Sequence, residues 1–285
     1  MAHDPSPQPN RADKDRTATT AQSPEGVLHR GKRLSGYFFW YVLGIGLNLG
    51  LPQLVLFPLC MYLMGSESFG KFIYALGIVR IVDIAPTRGL INTLLRNIAG
   101  IAEERRELLI LTAFTLASLA VSGMLLVAIL ACFGAWGLGT TDSQTALWIA
   151  IAALAIAAQN MLLVSSTDLL VKRLFAQRSL WMSISGILAF LALPGFFLIG
   201  HTGMVLGYSL GAVAGWGSLL VARAKMFLGR PMLDKQMAKQ VVKMWIVLSV
   251  SALFIGSGRY VHRTILGSFE SYDMVSVFFA ISACR

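Results

Sequence analysis

The stretch GSESFG, Gly65–Gly70, sits between two long apolar runs, and GSFESYD, Gly267–Asp273, sits between two more some two hundred residues later. Each closes an apolar segment, supplies Gly-Ser, a Glu, a second Ser and an aromatic residue, and then opens a new apolar segment. Gly and Ser punctuate helices, and the flanking runs are far longer than a buried strand. The chain reads as a series of long apolar helices whose pattern begins twice.

The rest of the sequence agrees with that reading. Its 285 residues are 56% hydrophobic and 13% charged, with a mean hydropathy of +0.68. A soluble domain carries about one quarter charged residues. Ten of the charged residues fall within the first 35, so the remainder is poorer still. Crossing about 30 Å of hydrocarbon takes about 20 apolar residues, and in lipid such runs must be helices so that every backbone group is paired. Seven complete spans are predicted: Gly36–Met64, Lys71–Leu95, Leu108–Leu138, Leu147–Val171, Ser179–Gly200, Gly203–Ala222 and Met244–Leu266. An eighth opens with MVSVFFAISAC and meets Arg285, which gives the expectation of a truncated chain.

Charge placement orients the spans. With the N-terminus inside, the inner segments collect 18 of the 24 Lys and Arg, in clusters such as Arg30, Lys32 and Arg33, then Lys172, Arg173 and Arg178. The outer loops, GSESFG, GTTDSQT, a turn at His201 and GSFESYD, hold none. That is the positive-inside pattern. The fold class predicted is all-α, a polytopic membrane helix bundle. Its predicted parts are a disordered cytoplasmic tail (1–34), a six-span lobe (35–228), a basic cytoplasmic linker (229–243) and an incomplete second lobe (244–285).

Several function classes are excluded. The net charge of +10 comes in short clusters between apolar segments, without the basic face that nucleic acid requires. Cys60, Cys132 and Cys284 lie within apolar runs and form no disulfide framework. There is no P-loop, no His pair at metal spacing and no nucleophile elbow, so neither enzyme activity nor a cofactor is expected. Pro52, Pro58, Pro86 and Pro194 fall inside spans, where each removes a backbone donor and bends the axis. Gly207, Gly211 and Gly215 stand four apart on one face of the sixth span, as close helix packing requires.

MYLMGSESFGKFIYALGIVRIVD resembles the junction of spans one and two in the polysaccharide and oligosaccharide-lipid flippases. Gly65, Glu67, Phe69, Gly70 and Phe72 match that family's Gly-x-Glu-x-Phe-Gly-x-Tyr/Phe loop. In RGLINTLLRNIAG, Gly89, Leu90 and Arg96 are similar to the family's close of span two, although Thr87 stands where an acid is usual. RYVHRTILGSFESYDMVSVFFA resembles the junction of spans seven and eight through Gly267 and Ala280. Gly258 there replaces an expected Asp, and Val275 or Ser276 an expected Gly. The resemblance implies a lobe architecture of the multidrug/oligosaccharidyl-lipid/polysaccharide exporter superfamily, with the first lobe whole and the second begun. Independently of the resemblance, the two Gly-Ser stretches each join an odd span to the next even one on the outer face, with six spans between them, so they read as parallel repeats about an axis along the membrane normal.

Ionisable residues within spans are functional candidates by default. Span two holds Arg80, Asp83 and Arg88 on one broad face, and span seven holds Arg259, His262 and Arg263. Asn48, Gln53, Gln159 and Asn160 add uncharged polar groups. The resemblance implies a cargo of polyprenyl-diphosphate-linked oligosaccharide, moved across the bacterial inner membrane for surface polysaccharide such as lipopolysaccharide or exopolysaccharide. Arg80, Arg88 and Arg259 would meet its diphosphate, with the amides on its sugars. A polysaccharide polymerase with its export machinery, and the membrane lipids, would be its partners, and no nucleic acid. Simpler readings stay open: an Arg80–Asp83 pair, an Asp168–Lys172 pair, and interhelical bonds from Gln159 and Asn160. So do a cation-coupled drug exporter of the same fold, a membrane-embedded sugar polymerase, and an inactive truncated product.

Overall fold

The computed structural model describes residues 24–98, 101, 103–137, 139, 142–227, 234–251 and 271–283. These form an all-α bundle, with no strand among the described residues. The helices are α1 (Pro24–Ile45), α2 (Phe57–Met64), α3 (Ser66–Ile98), α4 (Glu103–Gly137), α5 (Ser143–Val171), α6 (Phe175–Leu188), α7 (Ala192–Ile199), α8 (His201–Ala222) and α9 (Ala224–Phe227). They are followed by α10, helical over residues 235–251, and α11 (Tyr272–Ala283). The chain divides into one unit of Met1–Phe39 and another of Trp40–Arg285.

Five stretches are long and apolar enough to cross a membrane: Ser35–Met64, Arg105–Gly134, Ser143–Val171, Phe175–Ile199 and His201–Ala222. They correspond to predicted spans one, three, four, five and six. The predicted second span lies within α3, whose 33 residues give it ample length. Its Lys71, Arg80, Asp83, Arg88 and Arg96 make it more polar than the other five. The predicted seventh span is helical up to residue 251, and the rest of it lies outside the described residues, as do residues 1–23.

Residues 24–34, expected as part of a disordered tail, are helical instead. Pro24 suits the first helical position because its missing N–H has no partner there anyway. Propagating a helix that continues into an apolar span also adds no new nucleation cost.

The prolines of the first and fifth spans accompany breaks in the regular helix, whereas α3 runs through Pro86 as one α-helix. In the first span two π-turns, Gly46–Gly50 and Pro52–Leu56, precede α2. The N–H of Leu51 reaches back to the Gly46 carbonyl, and that of Phe57 to the Pro52 carbonyl. Each donor is the residue just before Pro52 or Pro58, whose ring crowds the carbonyl four residues back and widens the preceding turn. In the fifth span a 3₁₀ turn, Ala189–Leu191, separates α6 from α7, which contains Pro194.

α5 is the axis of the bundle, packing against α3, α4, α6 and α8. Ala152, Ala153, Ala155, Ile156, Ala157 and Ala158 are all buried on it, because small side chains let neighbours close in from several sides. An aromatic cluster joins the elements nearby: Phe57 lies 6.0 Å from Phe72, 5.9 Å from Tyr208 and 5.5 Å from Phe279, centroid to centroid. The glycine face of α8 extends one step beyond the sequence reading, to Gly203. A Cβ on Gly203 would stand 2.0 Å from the Gly195 oxygen, one on Gly207 2.2 Å from that of Leu191, and one on Gly211 2.1 Å from that of Leu188. The sixth span thus lies directly on the backbone of the broken fifth.

α5 starts at a side-chain cap. Asp142 accepts a hydrogen bond from the Thr145 backbone N–H at 3.2 Å. Partial burial pushes its carboxyl up, but the Thr145 bonds and the Lys71 charge together hold it below the ordinary value of 3.8. A depressed carboxylate contributes stability above the unfolded pKa and loses it as pH falls through the folded one. Amide protection in the first turn of α5, taken relative to the intrinsic exchange rate at each pH, should therefore be flat from pH 7 to about 5 and fall below about 4. Asp142→Ala should exchange at the faster rate throughout, and a first turn equally protected at pH 7 and pH 3 would refute the capping role.

Candidate functional site

The site is built on α3, α5 and α8. Arg80 lies about 21 Å along α3 from Ser66 at 1.5 Å per residue. It is therefore near the middle of α3, where it is part-buried. Phe69, Phe72, Ile73 and Val79 bury the core side of this helix. The Arg80 guanidinium donates through Nη2 to Gln159 Oε1. Gln159 in turn donates through Nε2 to the Tyr208 hydroxyl at 3.0 Å. Tyr208 is 7% exposed, and its ring is clamped against Phe57 and Phe72. Acceptance at one end of the amide and donation at the other fix the orientation of Gln159. The result is a cationic, multi-donor group held part-buried, midway along α3, by side chains of two neighbouring helices.

The other predicted residues distribute differently. Asn48 donates through Nδ2 to the Met182 carbonyl at 2.8 Å, tying the π-turn of the first span to α6. Gln53 is exposed on the second π-turn. Asn160 is buried at 1% exposure on α5, next in sequence to Gln159 but about 100° round the helix. Asp83 and Arg88 lie on α3, but their side chains are outside the described residues, so the Arg80–Asp83 pair is not described. Arg259, His262 and Arg263 also fall outside. The structure therefore brings Arg80 and Gln159 together and adds Tyr208, which the sequence reading did not single out. Tyr208 is 49 residues from Gln159, and no local spacing links the two.

A second polar cluster was read only in part. Asp168, with its side chain fully buried, has Lys172 Nζ at 3.4 Å as the sequence suggested. It also accepts from Arg223 Nη2, from the end of α8. The Arg223 guanidinium lies 5.3 Å from the Phe227 ring centroid. Lys172 is 56% exposed, whereas Arg223 is 18% exposed, so the inner pair is Asp168–Arg223.

The first repeated stretch meets the described end of the second, residues 271–273. Ser66 donates to Asp273, Tyr74 and Tyr272 make an edge contact at 5.5 Å, and Lys71 lies 5.5 Å over the Tyr272 ring. Gly65 has φ +76°, which permits the turn into α3 without strain. A Cβ on Gly70 would fall 1.8 Å from the Tyr272 carbonyl oxygen, and one on Gly89 2.2 Å from Ser249 Oγ. The two glycines, about 28 Å apart along α3, receive α11 at one end and α10 at the other, with Arg80 between them.

What these features define is an all-α bundle whose apolar helices fit a multi-pass membrane protein. No protein-family model matches the chain, and neither the curated proteins nor the solved structures hold a significant match.

Proposed function

We propose that the chain is a transporter component that moves a lipid-linked, phosphate-bearing oligosaccharide across a bacterial inner membrane, with its N-terminus in the cytoplasm. The observation that carries this reading is the part-buried Arg80–Gln159–Tyr208 network midway along α3. Holding a guanidinium at depth is costly, and such residues mark cargo and ion pathways. Guanidinium also matches phosphate in charge and fork geometry. The arrangement of basic loops supports the orientation. An ion gradient or membrane potential would supply the energy. The contact of the first repeated stretch with residues 271–273 of the second supports a site formed where two repeats meet.

The test is transport by the full chain in proteoliposomes, with a fluorescent polyprenyl-diphosphate oligosaccharide as cargo. Losing a charge-assisted bond worth about 1.5–3 kcal/mol should slow Arg80→Ala by roughly 10- to 100-fold. Arg80→Lys should recover part of the rate, and protease protection should show unchanged insertion. Transport by Arg80→Ala at the original rate would remove the proposal.

A further inference from the structure

A narrow cleft opens within the Trp40–Arg285 unit, between residues 40–45 and the start of α6, where Lys172 and Arg173 lie exposed on the turn before α6. Trp40, Tyr41 and Gly44 line one side, and Arg178 and Ser179 the other. Arg178 spends only its Nε–H on protein, donating to Ser166 Oγ at 3.4 Å, so both terminal nitrogens remain without a protein acceptor among the described residues. Ser179 is 3% exposed, yet its hydroxyl has no hydrogen-bond partner. A buried hydroxyl and a guanidinium with spare donors in one cleft form an anion-binding constellation. The α6 N-terminus, which has no side-chain cap, adds a positive end. The enclosed space is about 10 Å³, room for one oxygen atom and not for a whole ligand. Trp40 and Tyr41, at 40% and 44% exposure, form an outer rim of the kind found at the headgroup level of membrane proteins.

We propose that this cleft binds an anionic phospholipid, seating one phosphate oxygen between Arg178 and Ser179 while the glycerol and acyl chains lie along Trp40 and Tyr41. Lipid is favoured over a soluble anion because the cleft opens on the apolar outside of the bundle and admits only an oxygen. Lys172 and Arg173 raise the local concentration of anionic headgroups. The proposal does not depend on the identity of any transported cargo.

The experiment is lipid retention by the purified full chain, in detergent micelles doped equally with phosphatidylglycerol and phosphatidylcholine, read by native mass spectrometry and by thermal unfolding. The original chain should retain phosphatidylglycerol roughly fivefold over phosphatidylcholine, the preference expected of one well-placed cation. Arg178→Gln should bring the ratio close to one, and Ser179→Ala should lower it while leaving folding intact. Lys235→Gln, on α10, should leave it unchanged. Should Arg178→Gln fail to fold, Arg178→Lys serves in its place, with a reduced preference expected because the fork is lost. An unchanged ratio in the folded Arg178 variant and in Ser179→Ala overturns the site. Equal thermal protection by millimolar inorganic phosphate overturns the lipid assignment.

Discussion

Asp168→Ala is expected to destabilise the bundle by about 3–5 kcal/mol, the cost of removing one partner from a buried ion pair. Asp168 is completely buried, and Arg223, bonded to it, is 18% exposed with Nη1 already lacking a partner. Without the carboxylate, the guanidinium would keep its charge in a low-dielectric setting with only the Phe227 ring and the Met226 sulfur beside it. Lys172→Ala, by contrast, should change stability by less than about 1 kcal/mol, because the ammonium stays in water at 56% exposure. Unfolding of the purified chain in mixed micelles with increasing dodecyl sulfate measures both. The double variant Asp168→Leu with Arg223→Met should recover most of the loss, since an apolar pair of similar size needs no charge compensation. If Asp168→Ala proves as mild as Lys172→Ala, the pair does not join α5 to α8.

Gly211→Val should have an effect of similar size by a different route. Its Cβ would lie 2.1 Å from the Leu188 oxygen and 2.6 Å from the Leu188 carbon, both backbone atoms that no rotamer change can move. The sixth span would have to leave the fifth, giving up close packing that in lipid is not replaced by any hydrophobic drive. Overpacking a well-fitted seam costs about 1–3 kcal/mol, and more where backbone must shift. Gly217→Ala lies on the same helix with nothing within 4 Å of the added carbon. It should be neutral or slightly stabilising, through higher helix propensity. Equal behaviour of the two variants in the same unfolding assay would contradict a seam along Gly203, Gly207, Gly211 and Gly215.

Much of the fold was legible because it rests on local signals. Apolar length gave the candidate spans, and the four-residue spacing of Gly207, Gly211 and Gly215 gave a packing face that the structure brings against the fifth span. Pro52 and Pro58 announced an irregular first span, but their position alone did not distinguish a kink from π-turns. That outcome depends on which backbone donor finds a carbonyl. The site was less legible because its bonds are long-range. Arg80 stood out as a charge in an apolar run, but Gln159 is 79 residues away and Tyr208 another 49. Asn48 also has a partner that no local spacing reveals: its Nδ2 bonds the Met182 carbonyl, 134 residues on. Asp168 drew attention for its neighbour at i+4, while its buried partner Arg223 lies 55 residues on, where only the tertiary fold brings the two together.

The charges along α3 bear on how such a chain reaches its membrane. With Lys71, Arg80, Asp83, Arg88 and Arg96 along its length, residues 66–98 partition into bilayer poorly by themselves. Gln159 and Tyr208, which accommodate the Arg80 guanidinium, leave the ribosome much later than the helix they serve. The Arg80–Gln159–Tyr208 network therefore closes only once α5 and α8 have been synthesised, and the expected order of assembly is late settling of α3 against them rather than one helix at a time.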